Sequence, residues 1–207
     1  MLGILQKDII QKALEIEYNR GTNLVEFIEK YKNITYEEKV ELLKPYKLEP
    51  IVDIEVIKSK KIEELNRTCA EKIELGIDVE INGVQEHFSY KTVDQNNIDD
   101  LFQLAMQTGL DQPYHSDGGN CKLYTPEQIT QIYIAQKINK TQQTTYFNQL
   151  REMIVNEYTK QEDKDKILAI KYGDKLTGIY LDNYNVMMEN SKNIVNALVG
   201  IMTLWKI

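Results

Sequence analysis

Apolar residues near the start of the chain recur at helical intervals, with Ile4, Leu5, Ile9, Ala13, Leu14 and Ile16 followed by a stop at Asn19-Arg20-Gly21. Thr22 is placed to cap a second short helix carrying Leu24, Val25, Phe27 and Ile28. Thr35 with Glu38 forms a capping box for a third, carrying Val40, Leu42 and Leu43, which Pro45 ends. Between Pro45 and Ile57, prolines stand among the β-branched residues Ile51, Val52, Ile54, Val56 and Ile57. That pattern predicts an extended connector or edge strand, and a domain boundary.

The helical period then resumes. Ile62, Leu65, Cys69 and Ile73 predict a helix from about residue 59 to Leu75, with Gly76 as the residue just past its end. At Ile77 the period switches to two, and Ile77, Val79 and Ile81 lead into Asn82-Gly83, the residues that a type I′ hairpin turn demands. A two-residue loop pairs Ile81 with Val84, Val79 with Glu86 and Ile77 with Phe88, and sets His87 opposite Asp78 on the other face. Thr92 and Gln95 read as the capping box of a helix whose Val93, Leu101, Phe102, Leu104 and Ala105 face inward before Gly109 ends it. After a loop from Pro113 to Asn120, Thr125 and Pro126 open a long helix. Its stripe runs through Ile129, Ile132, Gln136, Asn139, Gln143, Tyr146, Leu150, Ile154 and Tyr158, and the polar stretch from Asn139 to Thr145 is where a break or a partner contact is expected. A helix from Asp165 to Tyr172, a stop at Gly173 and a helix from Thr177 to Asn190 follow.

The fold class expected is therefore α+β, mainly helical: helix, β-hairpin, helix, loop or hairpin and long helix form a core, with an added N-terminal helical segment. The divisions expected are an N-terminal helical docking segment over residues 1–50, the α+β core domain over 51–190, and an apolar C-terminal docking tail over 191–207. In that tail Leu198, Val199, Ile201, Met202, Leu204, Trp205 and Ile207 are the candidate partner-binding residues, because an apolar chain end must fold back on the core or be covered.

Composition narrows the function classes. With 42% hydrophobic residues, the 207-residue chain is long enough to bury a sizeable core. A net charge of −7 argues against a nucleic-acid partner, because phosphate binding needs a basic face. The Lys58-Ser59-Lys60-Lys61 cluster is followed at once by Glu63-Glu64, which cancels most of its field. Two cysteines, with no leader expected, point to reduced thiols. No apolar run reaches the ~18 residues that span a bilayer, so membrane insertion is not expected. Thirteen tyrosines against four phenylalanines supply amphipathic contact area of the kind enriched at interfaces.

Candidate chemistry centres on Cys69, His87, His115 and Cys121. These are enough donors for a tetrahedral zinc site, but no two of them fall at the short intervals by which one local structure presents two ligands. A nucleophilic Cys121 with His115 and Asp117 would need local positive charge to depress the thiol pKa, and only Lys122 is at hand. Asp117-Gly118-Gly119-Asn120 lacks the ligand spacing of a calcium loop and reads as a turn. Asn82, Gly83, His115, Asp117, Gly118 and Gly119 are accordingly expected to be turn and loop residues, with His115 and Asp117 holding their loop locally, and Asp99-Asp100 to be a solvated helix face. No catalytic residue, metal or cofactor is expected.

Taken together, Gly76-Ile77-Asp78-Val79, Asn82-Gly83, Glu86-His87-Phe88-Ser89, Asp94-Gln95-Asn96-Asn97, Pro113-Tyr114-His115-Ser116-Asp117-Gly118 and Cys121 resemble a domain of unknown function found in tail-associated proteins of tailed phages and prophages of Gram-positive bacteria. The likeness continues through Thr144-Thr145-Tyr146-Phe147-Asn148-Gln149-Leu150 to Ile170-Lys171-Tyr172-Gly173, so it spans about residues 58–185. The resemblance implies a non-enzymatic structural role in a phage tail or phage-tail-like particle, near the baseplate or the receptor-binding fibre attachment. The partners implied are other tail, baseplate or fibre proteins, with self-association left open. Assembly in the bacterial host cytoplasm and residence in the virion tail follow from the same resemblance. The alternatives are a tail-fibre assembly chaperone and, from another class, a zinc or cysteine enzyme using His87, His115 and Cys121.

Overall fold

The computed structural model of the chain describes residues 3–51 and 53–204. It is mainly helical with two antiparallel hairpins, an α+β fold as the periodicities predict. The chain divides into two compact units, Met1–Ile57 and Lys58–Ile207.

The first unit packs α1 (Ile4–Asn19), α2 (Leu24–Ile28) and α3 (Tyr36–Leu43) around Ile10, Leu14, Leu24, Ile28, Leu42 and Leu43. Thr35 and Glu38 form the expected capping box on α3. Two local expectations are corrected. The cap of α2 is Asn23, whose side chain accepts from the amides of Val25 and Glu26, while Thr22 donates its hydroxyl to Glu17. On α1 the inward positions are Ile10 and Leu14, and Leu5, Ile9 and Ile16 face solvent. Apolar residues lie on both sides of this helix, so periodicity alone could not choose its buried face.

α4 (Ile54–Leu75) begins earlier than expected, and the division between units falls within it. Ile54, Val56 and Ile57 are helical rather than extended, because the Asp53 carboxylate accepts from the Glu55 amide 2.9 Å away and the Asp53 carbonyl accepts from Val56 and Ile57. A good N-cap outweighs the β preference of branched residues. Val52, counted with that extended segment, lies outside the described residues. Lys58 and Lys61 from the basic cluster are buried, Lys58 donating to the Val155 carbonyl and Lys61 pairing with Glu64.

Gly76 ends α4 with φ +78°, and β1 (Ile77–Ile81) turns through Asn82 (φ 53°) and Gly83 (φ 82°) into β2 (Val84–Phe88). The register is the expected one: Ile77 opposite Phe88, Asp78 opposite His87, Val79 opposite Glu86 and Ile81 opposite Val84. α5 (Thr92–Thr108) follows and ends at Gly109, φ 66°. Its cap is Lys91, whose amide donates to the Asp94 carboxylate, in place of the expected Thr92 and Gln95 pair. Its buried stripe is Ile98, Leu101, Phe102 and Ala105, while Val93 is 68% exposed and Leu104 also faces outward. β3 (Gln112–Tyr114) and β4 (Lys122–Tyr124) form the second hairpin around the glycine loop.

α6 (Pro126–Glu157) is continuous through its polar centre, with Thr125 and Gln128 as its capping box. The core of the second unit is Val79, Ile81, Phe88, Tyr90, Ile98, Tyr124, Ile129 and Ile132, gathered from both hairpins, α5 and the first half of α6. The expected Asp165 to Tyr172 helix is shorter, α7 (Lys164–Ala169). α8 (Gly178–Leu204) then runs along α6, tied by Tyr180 to Glu157 and by the ring of Tyr184 against Tyr146. Residues 191–204 thus extend α8 instead of starting a separate segment.

Candidate functional site

The described part of the second unit gathers its polar chemistry where the two hairpins meet the end of α4. A helix ends with unpaired carbonyls and a partial negative charge. Here the Tyr90 amide donates to the Glu74 carbonyl, and the His87 ring reaches the Leu75 carbonyl at 2.8 Å through Nε2 and Asp78 at 2.7 Å through Nδ1. Only the doubly protonated imidazolium donates to both acceptors. The Asp78 carboxylate, with further help from the Leu75 carbonyl and Asp117 against partial burial, holds the His87 pKa above its ordinary 6.5. The cross-strand pairing expected for His87 is thus present, together with a helix-end partner that a hairpin register does not disclose.

On the opposite, inward face of β2 lies Glu86, buried although acidic. Burial alone would raise its pKa, but the Lys122 ammonium and the Tyr124 hydroxyl, each 2.5 Å from a carboxylate oxygen, together hold it below the usual value. Burial and that same carboxylate push the Tyr124 phenol well up. This contact joins the first hairpin to the second. Phe88 and Tyr114 lie parallel at 6.0 Å and Tyr124 meets both edge-on, so aromatic rings fill the space behind it. Burial pushes the Tyr114 phenol up to about 12.

Asp117 does not act locally as expected. Its carboxylate accepts from the amide and hydroxyl of Ser89, each at 3.2 Å, and its own amide donates to the His87 carbonyl, pinning the glycine loop to the end of β2. His115 does hold the loop locally, through the Ser116 carbonyl at 3.1 Å. Gly118 has φ +71°, and Gly119 packs so closely on Ser116 that a Cβ there would meet its hydroxyl. Asp99 is no solvated face but an ion-pair partner of Lys137 at 2.8 Å.

His115 and Cys121 share an open cleft of ≈ 350 Å3 with Asn97, Asp100, Leu101, Pro113 and Tyr114. Both are exposed, and Asp117, the acid that would orient His115 in a nucleophilic triad, is engaged by Ser89. Cys69 lies apart on α4, buried, its thiol pushed up by that burial. Among the described residues no three His, Cys, Asp or Glu side chains converge as metal ligands, and no helix is long and apolar enough to cross a membrane.

Three glutamines of α6, of which the sequence pattern placed only Gln136 on the helix stripe, hold the hairpin on that helix. Gln128 donates to the Asn82 side chain, Gln131 to the Glu80 carbonyl, and buried Gln136 to the carbonyls of Phe88 and Ser89 at 3.3 and 3.0 Å. All three lie on one helix, but their acceptors, the Asn82 side chain and the backbone carbonyls of Glu80, Phe88 and Ser89, are distant in sequence.

Of the apolar C-terminal candidates, Leu198 lines a groove against Ile134 and Ile138 of α6, and Val199 is exposed. Ile201, Met202 and Leu204 lie on α8, and Trp205 and Ile207 fall outside the described residues. In the first unit an open groove of ≈ 480 Å3 has Ile9, Ile10, Tyr31 and Ile34 as its apolar lining, with Lys30 and Lys32 beside them.

A family described as "Domain of unknown function (DUF4376)" matches residues 56–171, from the first turn of α4 past α7. The match covers more than half of the chain, which therefore belongs to this family. Comparisons with curated proteins and with solved structures return no match. The polar junction, both hairpins and α6 fall inside the matched region, whereas α1 to α3 and α8 fall outside it.

Proposed function

We propose that this protein is a non-catalytic structural component of a phage tail or phage-tail-like particle, near the baseplate or the receptor-binding fibre attachment, and that it is assembled in the bacterial host cytoplasm. The observation that carries the reading is the set of large apolar side chains that α8 leaves exposed: Ile179 is 64% exposed and Val186 70%, with Ile194, 62% exposed, at the groove against α6. Large apolar side chains repeated along one helix mark a surface that another protein covers. The polar groups of the hairpin junction support the same reading, since their hydrogen bonds are spent on joining elements: Glu86 to β4, Asp117 to β2, His87 to the end of α4. The groove of the first unit is a second candidate docking element, and the resemblance of the motifs to tail-associated proteins supplies the setting.

Mass spectrometry of purified particles tests the proposal. The protein is expected at a fixed ratio to the tail proteins. Absence from finished particles, combined with fibre solubility that depends on co-expressing it, would replace the structural role by that of an assembly chaperone.

A further inference from the structure

We propose that the groove of the first unit is a docking site for an acidic amphipathic helix of another protein, whose apolar face seats beside α1 and whose carboxylates meet Lys30 and Lys32. The inference rests on the reading above as an assembly component, and it names the chemistry of one partner. Gln6, Ile9 and Ile10 of α1 line the groove together with the segment over residues 30–34. Ile10 and Ile34 are buried members of the core, whereas Ile9 is 61% exposed. By helical geometry Leu5 and Ile16 fall in line with Ile9, and both are exposed, so the apolar surface continues along α1 beyond the groove.

The form of the occupant follows from the backbone. The amides of Lys30, Tyr31 and Ile34 are spent within their own turns, and those of Ile9 and Ile10 within α1, so the groove offers no strand edge. A segment that covers it must satisfy its own peptide groups, as a helix does. The charge of the occupant follows from the rim. None of the described lining residues is acidic. Lys30 rests over the Phe27 ring at 5.4 Å, and neither it nor Lys32 forms an ion pair among the described residues. Lys12, exposed between Ile9 and Ile16 on the same line of α1, adds a third cation. The acids of α1 are placed elsewhere: Glu17 is engaged by Thr22 and Arg20, and Asp8 and Glu15 fall on the flank away from Gln6 and Ile10. The groove is thus locally basic on a chain of net charge −7, which complements an acidic helix and repels a basic one. Its concavity fits a helix and not a bilayer, whose surface a flat or convex face would meet.

The experiment titrates the full chain into two labelled synthetic helical peptides, both with leucines along one face. One is flanked by glutamates, and its counterpart carries lysines in their place. The acidic peptide is expected to bind about tenfold more tightly than the basic one, with a preference that fades as salt rises. The double substitution Lys30→Glu and Lys32→Glu should reverse that preference. Ile9→Asp should abolish binding of the acidic peptide while the circular dichroism spectrum and melting temperature stay unchanged, because Ile9 is largely exposed. Equal affinity for the two peptides, binding of neither, or binding that survives Ile9→Asp overturns the inference. So does partition onto phosphatidylglycerol vesicles in place of either peptide. Charge-selective binding by a protein that finished particles lack would remove the tail reading and leave the groove assignment in place. A particle protein whose groove takes neither peptide would do the reverse.

Discussion

Two glycines show how differently one residue type can be required. Gly83 holds φ +82° at the tip of the first hairpin with open space around it, so Gly83→Ala should cost only the left-handed backbone penalty, about 1 kcal/mol. At Gly76, φ is +78° and an added Cβ would overlap the carbonyl of Phe88, so Gly76→Ala must also push the hairpin away from α4. Chemical denaturation should show the larger loss at Gly76, and equal losses would show that the close approach is not maintained in solution. Gly83→Val, which adds branching at the tip, is expected to cost ~1–3 kcal/mol. His87 provides the pH test. Its folded pKa is raised, so its contribution is fully present below the unfolded pKa and is lost as pH rises through the folded one. The stability deficit of His87→Gln should therefore be larger near pH 5.5 than near pH 9, both conditions chosen around the unperturbed value of about 6.5. Glu86 has the opposite sign: its pKa is lowered, and its contribution is lost as pH falls through the folded value.

Among the elements, α5 separates what periodicity can decide from what it cannot. Val93 and Leu104 have the right chemistry for a core face, yet packing against α6 selects the stripe of Ile98, Leu101, Phe102 and Ala105. Ile98→Ala is expected to cost about 2–5 kcal/mol, and Val93→Lys to stay within about 0.5 kcal/mol of the parent. Paired thermal melts check both, and comparable losses would reverse the assignment of the face. α6 carries the other test. Gln136 donates to two carbonyls at the open end of the hairpin, so Gln136→Leu removes the side-chain donor they share and should cost about 1–3 kcal/mol despite a similar volume. The first hairpin was legible to its register because its information is local: a two-residue turn sequence fixes which residues face each other, and strict alternation fixes the faces.

At the scale of the molecule, the second unit has its own core and both ends of α4 belong to identifiable caps. A fragment spanning residues 53–207, which keeps the Asp53 cap, is expected to unfold in one cooperative transition by circular dichroism. A broad, non-cooperative melt would mean that residues 1–52 complete its core. By itself the sequence determined the mainly helical α+β class, the positions of the hairpin and of most helix ends, the capping box at Thr35, the helix start at Thr125 and Pro126, and the pairing of His87 with Asp78. All of these rest on interactions within a few residues or across one tight turn. The tertiary structure alone decided which face of α1 and α5 is buried, that Asp117 serves Ser89 and not its own loop, that acidic Glu86 lies inside against Lys122 and Tyr124, and that α8 runs unbroken to Leu204 along α6. Each of those depends on partners distant in the chain, and no local period or motif carries the information about which distant group will satisfy a charge or cover a face.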